Sequence, residues 1–132
     1  MKVIADTNVL ARFIVNDDEM QAQTARKLLC DASLIAISPT CFCELFWVLS
    51  RIYRMSGPRI GIAFRALLNA ANVVTNRPAV EAGLALLDAG GDFADGIVAH
   101  EGKWLGGEMF VSFDRKAVTL LAGQGEAAQL LA

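Results

Sequence analysis

Nitrogen and sulfur ligands for metals are scarce in this sequence, which has one histidine and three cysteines. The histidine, His100, falls about a turn and a half after Asp95, and we expect it to be a packed or surface helix residue rather than a ligand. The pair Cys41 and Cys43 has no second cysteine pair and no histidine couple to complete a zinc site. Together with Cys30 the cysteines are odd in number, so we expect free, mostly buried thiols.

Long apolar runs are also missing. No stretch approaches the roughly 20 apolar residues that a helix needs to cross a bilayer. Asp6 interrupts the amino-terminal stretch before a secretory hydrophobic region could form. We therefore expect a cytoplasmic protein with no membrane partner.

The chain nevertheless has ample apolar material for a core, because 55% of its 132 residues are hydrophobic and the mean hydropathy is +0.43. A chain of this length can bury a sizeable core without disulfides or metals. Since no linker, low-complexity tract or repeat interrupts it, we predict a single domain over residues 1–132. We also expect part of the apolar surface to close a homodimer or to contact a partner chain.

Apolar runs and helix signals alternate along the chain, which predicts an α/β fold with a mainly parallel sheet covered on both faces. Short apolar runs predict strands at 2–5, 34–37, 72–75, 109–113 and 127–131. Capping residues, prolines and glycines predict helices at 17–30, 39–54, 58–70, 77–89, 93–105 and 115–122.

Four acidic residues fall where such a fold directs them toward one edge of its sheet. Asp6 and Asp114 each stop a predicted strand, and open α/β sheets bind their ligands at the carboxyl ends of strands. Glu44 lies one helical turn beyond another predicted strand. Asp95 opens a further helix, for which Asp92 is the predicted cap. We expect the four side chains to meet.

Each acid also has a purely structural explanation. Asp6 and Asp114 can be ordinary turn or helix-cap residues that contribute about 1 kcal/mol each, and Asp95 can complete a capping box begun by Asp92. Glu44 is harder to explain in this way, because it is a lone carboxylate among apolar neighbours and would need a partner there.

Convergence of the acids would require protonation or a bound cation. Two carboxylates about 4 Å apart repel each other by roughly 4 kcal/mol at an effective dielectric constant of about 20. Oxygen ligands without a set of histidine nitrogens suit Mg²⁺ or Mn²⁺. The predicted cofactor is therefore Mg²⁺ or Mn²⁺.

The net charge of −2 argues weakly against a nucleic-acid partner, but the charges are unevenly distributed. No acid occurs from Leu45 through Val80, a stretch with five arginines that include Arg51, Arg54 and Arg59. A basic segment beside an acidic metal pocket is the arrangement needed to hold phosphates and cut between them. The same arginines suit an acidic protein partner, and a solvated helix surface explains any one of them equally well.

Four segments carry a family resemblance: VIADTNVL at 3–10, EL at 44–45, DFADGIV at 92–98 and VSFDRK at 111–116. In this order they resemble the motifs of PIN-domain ribonucleases, most closely the VapC-type toxins of bacterial toxin-antitoxin pairs. The resemblance implies a three-layer α/β/α PIN-like fold with a five-stranded parallel sheet. It also implies a Mg²⁺- or Mn²⁺-dependent endoribonuclease, frequent homodimers and inhibition by a cognate antitoxin that occupies the active-site groove.

The acidic quartet of that family, which supplies the catalytic residues and the metal ligands, falls on Asp6, Glu44, Asp95 and Asp114. The resemblance further implies Thr7 or Asn8 as polar helpers and Asp92 as an accessory acid. The arginines at 51, 54 and 59 would then contact RNA or the antitoxin. Gly96 replaces the alanine often found after the third acid and should loosen the first turn of its helix slightly.

Two other functions remain open. The segment from Asp6 to Val9 faintly resembles the nucleophile loop of haloacid-dehalogenase-like phosphatases, in which a strand-end aspartate attacks phosphate. That family expects a second acid where Asn8 stands. The other alternative is a non-catalytic PIN-like scaffold that only binds a partner or nucleic acid, against which the intact acidic quartet argues.

Overall fold

The computed structural model describes residues 1–132, which form two compact units, residues 1–77 and 78–132. The strands are β1 (Lys2–Ile4), β2 (Leu34–Ala36), β3 (Val73–Val74), β4 (Phe110–Ser112) and β5 (Ala128–Leu130). The helices are α1 (Thr7–Val15), α2 (Glu19–Asp31), α3 (Pro39–Trp47), α4 (Gly57–Asn69), α5 (Arg77–Asp88), α6 (Phe93–Trp104) and α7 (Arg115–Gly123). None of these helices combines the length and the apolar character that crossing a membrane requires.

The first unit contains a three-stranded parallel sheet in the order β1-β2-β3. Val3 lies opposite Ile35, and Ile35 lies opposite Val73, so β-branched residues pair across the sheet, where such side chains pack well. Parallel strands need crossover connections, and the helices supply them: α1 and α2 join β1 to β2, and α3 and α4 join β2 to β3.

An aromatic cluster ties α3 to α4. Phe42 and Phe64 are fully buried, and their rings pack edge to face with centroids 5.1 Å apart. Phe46 makes a second such contact with Phe64 at 6.4 Å. Each pair contributes about 0.5–1.5 kcal/mol beyond its buried area. The cluster therefore fixes the helix on which Glu44 is carried.

The segment after α3 does not continue as the regular helix that was predicted to residue 54. A π-helical turn, Val48–Ile52, follows α3, and the N–H of Tyr53 donates to the carbonyl of Val48. Arg54 then adopts the left-handed conformation, with φ 58°. A π turn shifts the direction of the side chains that follow it, so the hydrophobic period of the sequence did not indicate where Tyr53 points.

The second unit contains the parallel pair β4-β5, with α7 between the two strands. Gly96 of α6 lies against the backbone of α5, where a Cβ atom would stand 2.5 Å from the carbonyl oxygen of Ala82 and 2.8 Å from the Cα of Gly83. Backbone atoms cannot move aside, so this close approach of α5 and α6 requires glycine. The departure from alanine at position 96 thus has a packing reason beyond the looser helix turn expected from the sequence.

Two expectations about the fold are wrong in part. The five strands pair as a three-stranded and a two-stranded sheet rather than as one five-stranded sheet. Each strand has only two or three residues, so each hydrogen-bonded ladder is short and lies within one unit. The cysteines are free as expected, but Cys30 is exposed and Cys41 and Cys43 are half-buried, which contradicts the expectation of mostly buried thiols.

Helix α1 was not predicted at all. Its sequence begins with polar residues that resemble a turn, and it contains Val9, Ile14 and Val15, whose branched side chains lower helix propensity. Burial of Leu10 and Ala11 outweighs that local preference. The missing helix matters because it begins directly after Asp6.

Candidate active site

Asp6 lies two residues beyond the end of β1 and caps α1. The N–H of Thr7 donates to Asp6 Oδ1 at 2.8 Å. The second oxygen, Oδ2, makes no hydrogen bond, and the residue is exposed. The structural explanation therefore holds for one oxygen only. Capping orients the carboxylate and leaves its other oxygen open to a ligand.

Glu44 shares a cavity of about 240 Å³ with Asp6. Both carboxylates act on the thiol of Cys41, whose pKa is raised by burial and further by the two negative charges, while a hydrogen bond with Thr7 lowers it. The Cys41 Sγ atom lies 3.6 Å from Thr7 Oγ1 and 3.6 Å from the carbonyl oxygen of Ala5. Cys41 is thus held as a neutral thiol in the field of both acids.

Glu44 is exposed, whereas Phe42 and Leu45 beside it are fully buried. Phe42 and Leu45 therefore belong to the opposite face of α3, and the carboxylate is open to solvent. The inference that burial among apolar residues forces a partner on Glu44 is therefore wrong. Glu44 is instead an unpaired acid that faces the cavity.

The two polar residues after Asp6 have different environments. Thr7 is 5% exposed, and its hydroxyl is directed to Cys41. Asn8 is exposed and lines the cavity. Of the two predicted helpers, Asn8 is therefore the one with a polar group available to a ligand.

Asp114 in the second unit has the same position as Asp6, after a strand and before a helix. It lies two residues beyond β4 and caps α7, since the N–H of Ala117 donates to Asp114 Oδ1 at 3.2 Å. Asp92 caps α6 as predicted, with the N–H of Ala94 donating to its Oδ1 at 2.9 Å. Both caps leave one carboxylate oxygen without a hydrogen bond.

The surroundings of Asp95 disfavour the charged form of its carboxyl group. It is half-buried and has no hydrogen bond or ion pair, so the capping box with Asp92 does not form. Its pKa is raised by burial first, then by the charges of Asp92 and Asp114. A partly desolvated carboxylate with two negative neighbours is relieved by a proton or by a cation.

This raised pKa predicts a pH-dependent gain in stability for Asp95→Asn. As the pH rises through the ordinary range of aspartate, the unfolded chain loses its proton before folded Asp95 does, so ionised Asp95 lowers stability above the raised pKa. We expect the variant to have a modestly higher Tm than the wild type at pH 7, and no such advantage at a pH below the ordinary aspartate pKa.

Thermal unfolding at the two pH values in chelator-treated buffer measures this effect, with Glu108→Gln as the control because Glu108 is exposed and lies between α6 and β4, away from any helix end. A Tm at pH 7 that is equal to or below that of the wild type would contradict it.

Neither unit groups three His, Cys, Asp or Glu side chains closely enough to form a metal site by themselves. The donor chemistry nevertheless fits a hard divalent ion. Asp6, Glu44 and Asn8 line one cavity with oxygen atoms, and the second unit supplies an unpaired Asp95 beside two more carboxylates. Oxygen donors of this kind select Mg²⁺ or Mn²⁺ over zinc. His100, with its Nε2 buried and unpartnered, adds no second nitrogen ligand.

The three arginines predicted to contact RNA or an antitoxin are all exposed: Arg51, Arg54 and Arg59. They occupy the π-helical turn, the left-handed residue that follows it, and the first turn of α4. Their side chains are therefore accessible to an anionic partner.

The sequence did not indicate Arg12, which lines the same cavity as Asp6 and Glu44. Its guanidinium contacts Asp17 and the hydroxyl of Tyr53. The available signal was the four-residue spacing from Asn8, which lines the same cavity, and this spacing is informative only if α1 is known to be a helix.

A search of curated proteins found no relative of this chain. A comparison with protein families found one match, to the PIN domain, over residues 3–120. The match includes Asp6, Glu44, Asp95 and Asp114 and extends over nine-tenths of the sequence. On this basis the chain belongs to the PIN domain family.

Proposed function

We propose that this protein is a metal-dependent endoribonuclease, a hydrolase that cleaves RNA phosphodiester bonds. PIN domains are generally Mg²⁺-dependent nucleases, so family membership supports a nuclease that acts on nucleic acid. The choice of RNA follows the resemblance of all four motifs to PIN-domain ribonucleases. The proposed catalytic residues are Asp6, Glu44, Asp95 and Asp114.

The observation that carries this proposal is the state of Asp95. This carboxylate is partly desolvated, has no hydrogen bond or ion pair, and experiences the negative charges of Asp92 and Asp114. A structural acid would have acquired a partner, because unpaired burial costs stability. A carboxylate whose pKa is raised by burial and by neighbouring negative charges is typical of functional sites.

The residues divide the expected work by their chemistry. Asp6 and Asp95 are the first choices as direct metal ligands, because Asp6 lines the cavity with one carboxylate oxygen free of hydrogen bonds and both oxygens of Asp95 are free of them. Asp114 would complete the ligand set directly or through water. Glu44, exposed and unpaired, would orient a water molecule for attack in line with the departing oxygen. A bound Mg²⁺ or Mn²⁺ would supply Lewis acidity for the phosphodiester and for water.

We further propose that the protein is the VapC-type toxin of a toxin-antitoxin pair, with a cognate antitoxin and a second copy of the chain as partners. The order and spacing of the four motifs support this finer assignment. The exposed arginines at 51, 54 and 59 suit an acidic segment of an antitoxin as well as RNA.

Substrate discrimination tests the proposal against both rivals. We expect purified protein with Mn²⁺ to cut single-stranded RNA internally, leaving a 5′-phosphate and a 3′-hydroxyl, and to leave small phosphate monoesters intact. Gel analysis of end-labelled RNA and a colorimetric phosphatase assay measure the two activities. Turnover of the monoesters with a trapped aspartyl-phosphate would support the phosphatase, and RNA binding without cleavage under any divalent metal would support the scaffold.

A further inference from the structure

Arg12 is held on three sides at the edge of the cavity that contains Asp6 and Glu44. Its Nη1 donates to the hydroxyl of Tyr53 at 2.6 Å and to Asp17 Oδ1 at 3.2 Å. Its Nε donates to Gln21 Oε1. These contacts connect α1 with the start of α2 and with the residue after the π-helical turn, so the position of the guanidinium is fixed before any ligand binds.

These contacts leave the positive charge of Arg12 available to a further anion. Its ion pair with Asp17 is open to solvent, with the two side chains 33% and 42% exposed, and exposed pairs are strongly screened. Its third nitrogen, Nη2, makes no hydrogen bond to the protein. Arginine has five donors in a rigid fork, so it can keep Asp17 and Tyr53 and still bind a second anion.

The acidic lining of the cavity is the reason why a positively charged side chain such as Arg12 is needed there. Asp6 and Glu44 both line it, and neither forms an ion pair. A phosphodiester that approaches two carboxylates is repelled unless a positive group lies beside them. Arg12 is the one cationic side chain in the lining, and it also lines the neighbouring cavity of about 540 Å³ between α1 and α2.

We infer that Arg12 binds a backbone phosphate of the RNA strand beside the cut bond, and that Tyr53 and Asp17 are positioning residues that aim its guanidinium. This inference rests on the proposed ribonuclease function. It differs from a purely structural role for Arg12, in which the side chain only ties α1 to α2 and RNA affinity does not depend on its charge.

Binding measured without cleavage tests it. A fluorescent single-stranded RNA oligonucleotide is titrated with protein in chelator-containing buffer at several salt concentrations. Loss of one phosphate contact lowers the salt slope of log K by about 0.7 for a single strand. We expect Arg12→Gln to show this lower slope and roughly tenfold weaker binding, whereas Arg26→Gln, an exposed arginine of α2 outside both cavities, should match the wild type.

Two further variants separate the orientation of the Arg12 guanidinium from its positive charge. Arg12→Lys is expected to keep the salt slope but to bind more weakly, because an ammonium cannot make the forked contacts. Tyr53→Phe removes the hydroxyl that accepts from Arg12 and should also keep the slope while raising KM for RNA cleavage more than it lowers kcat. If Arg12→Gln does not fold, Tyr53→Phe decides: weaker binding at an unchanged slope supports the inference, and unchanged binding overturns it.

The outcomes also separate this inference from the proposed function. If the wild type cleaves RNA but Arg12→Gln binds it with wild-type affinity and slope, the role of Arg12 is refuted and the ribonuclease stands. If no metal supports cleavage but Arg12→Gln still lowers the slope, the phosphate site stands and the ribonuclease does not. Absence of RNA binding by the folded wild type overturns both.

Discussion

Asp6→Asn is expected to lower the rate of RNA cleavage by at least roughly 100-fold, the scale of losing one group that stabilises charge in a transition state, while leaving the fold intact. The amide keeps an oxygen that can accept from the N–H of Thr7, as Asp6 Oδ1 does, and asparagine caps helices as well as aspartate does. The substitution therefore removes the negative charge and preserves the helix start. Single-turnover cleavage of end-labelled RNA and thermal unfolding measure the two properties.

Asp18→Asn is the matched control. Asp18 caps α2 through the N–H of Gln21 at 3.1 Å, so the same chemical change occurs at another cap that lines neither cavity. It should retain wild-type cleavage and stability. Asp6→Ala adds the loss of the cap and should reduce stability by about 1 kcal/mol. Cleavage by Asp6→Asn at the wild-type rate would remove Asp6 from the mechanism.

The dual use of strand-end aspartates explains why the sequence was informative about these acids. Asp6 and Asp114 each stop an apolar run, and in each case the structure uses one oxygen as a cap and leaves the other free. The structural and functional explanations predicted the same local conformation, so local signals alone could not choose between them. The distinction depends on the second oxygen, which only the folded structure reveals.

Features that depend on packing were beyond the sequence. Helix α1 forms because Leu10 and Ala11 are buried, against the local preference of its branched residues. The π-helical turn Val48–Ile52 places Tyr53 beside Arg12, although the two residues are 41 positions apart. Neither the burial of α1 nor the contact between Tyr53 and Arg12 produces a periodic pattern in the sequence. The same reason explains Glu44, whose neighbours Phe42 and Leu45 are buried while its own carboxylate is exposed.

The electrostatics of the two units have a common consequence for cofactor dependence. Asp6 and Glu44 raise the pKa of Cys41, after burial, in the first unit, and Asp92 and Asp114 raise the pKa of Asp95, after burial, in the second. In the first unit the one cationic side chain of the cavity lining, Arg12, makes its ion pair with Asp17 rather than with Asp6 or Glu44. In the second unit Asp92, Asp95 and Asp114 form no ion pair. A hard cation lowers the energy of each arrangement, so stability and activity should depend on the same ion.

Removal of divalent metal is therefore expected to abolish RNA cleavage and to lower the Tm together. A ligand that binds only the folded state stabilises it by about 2.7 kcal/mol when its concentration is roughly 100 times its Kd. Excess EDTA should bring cleavage to the background of a protein-free sample, and Mg²⁺ or Mn²⁺ added beyond the chelator should restore both cleavage and Tm. Thermal unfolding and cleavage measured on the same chelated, then reloaded, protein check this prediction.

The response of a charge-removing variant identifies where the ion acts. Asp95→Asn eliminates a proposed ligand, so its Tm should respond less to Mn²⁺ than that of the wild type, although its Tm in EDTA at pH 7 should be the higher of the two because an unfavourable charge is gone. Asp31→Asn, exposed at the end of α2, should retain the full response. Cleavage that survives EDTA, or equal Mn²⁺ responses in the wild type and Asp95→Asn, would exclude a catalytic ion bound by this acid.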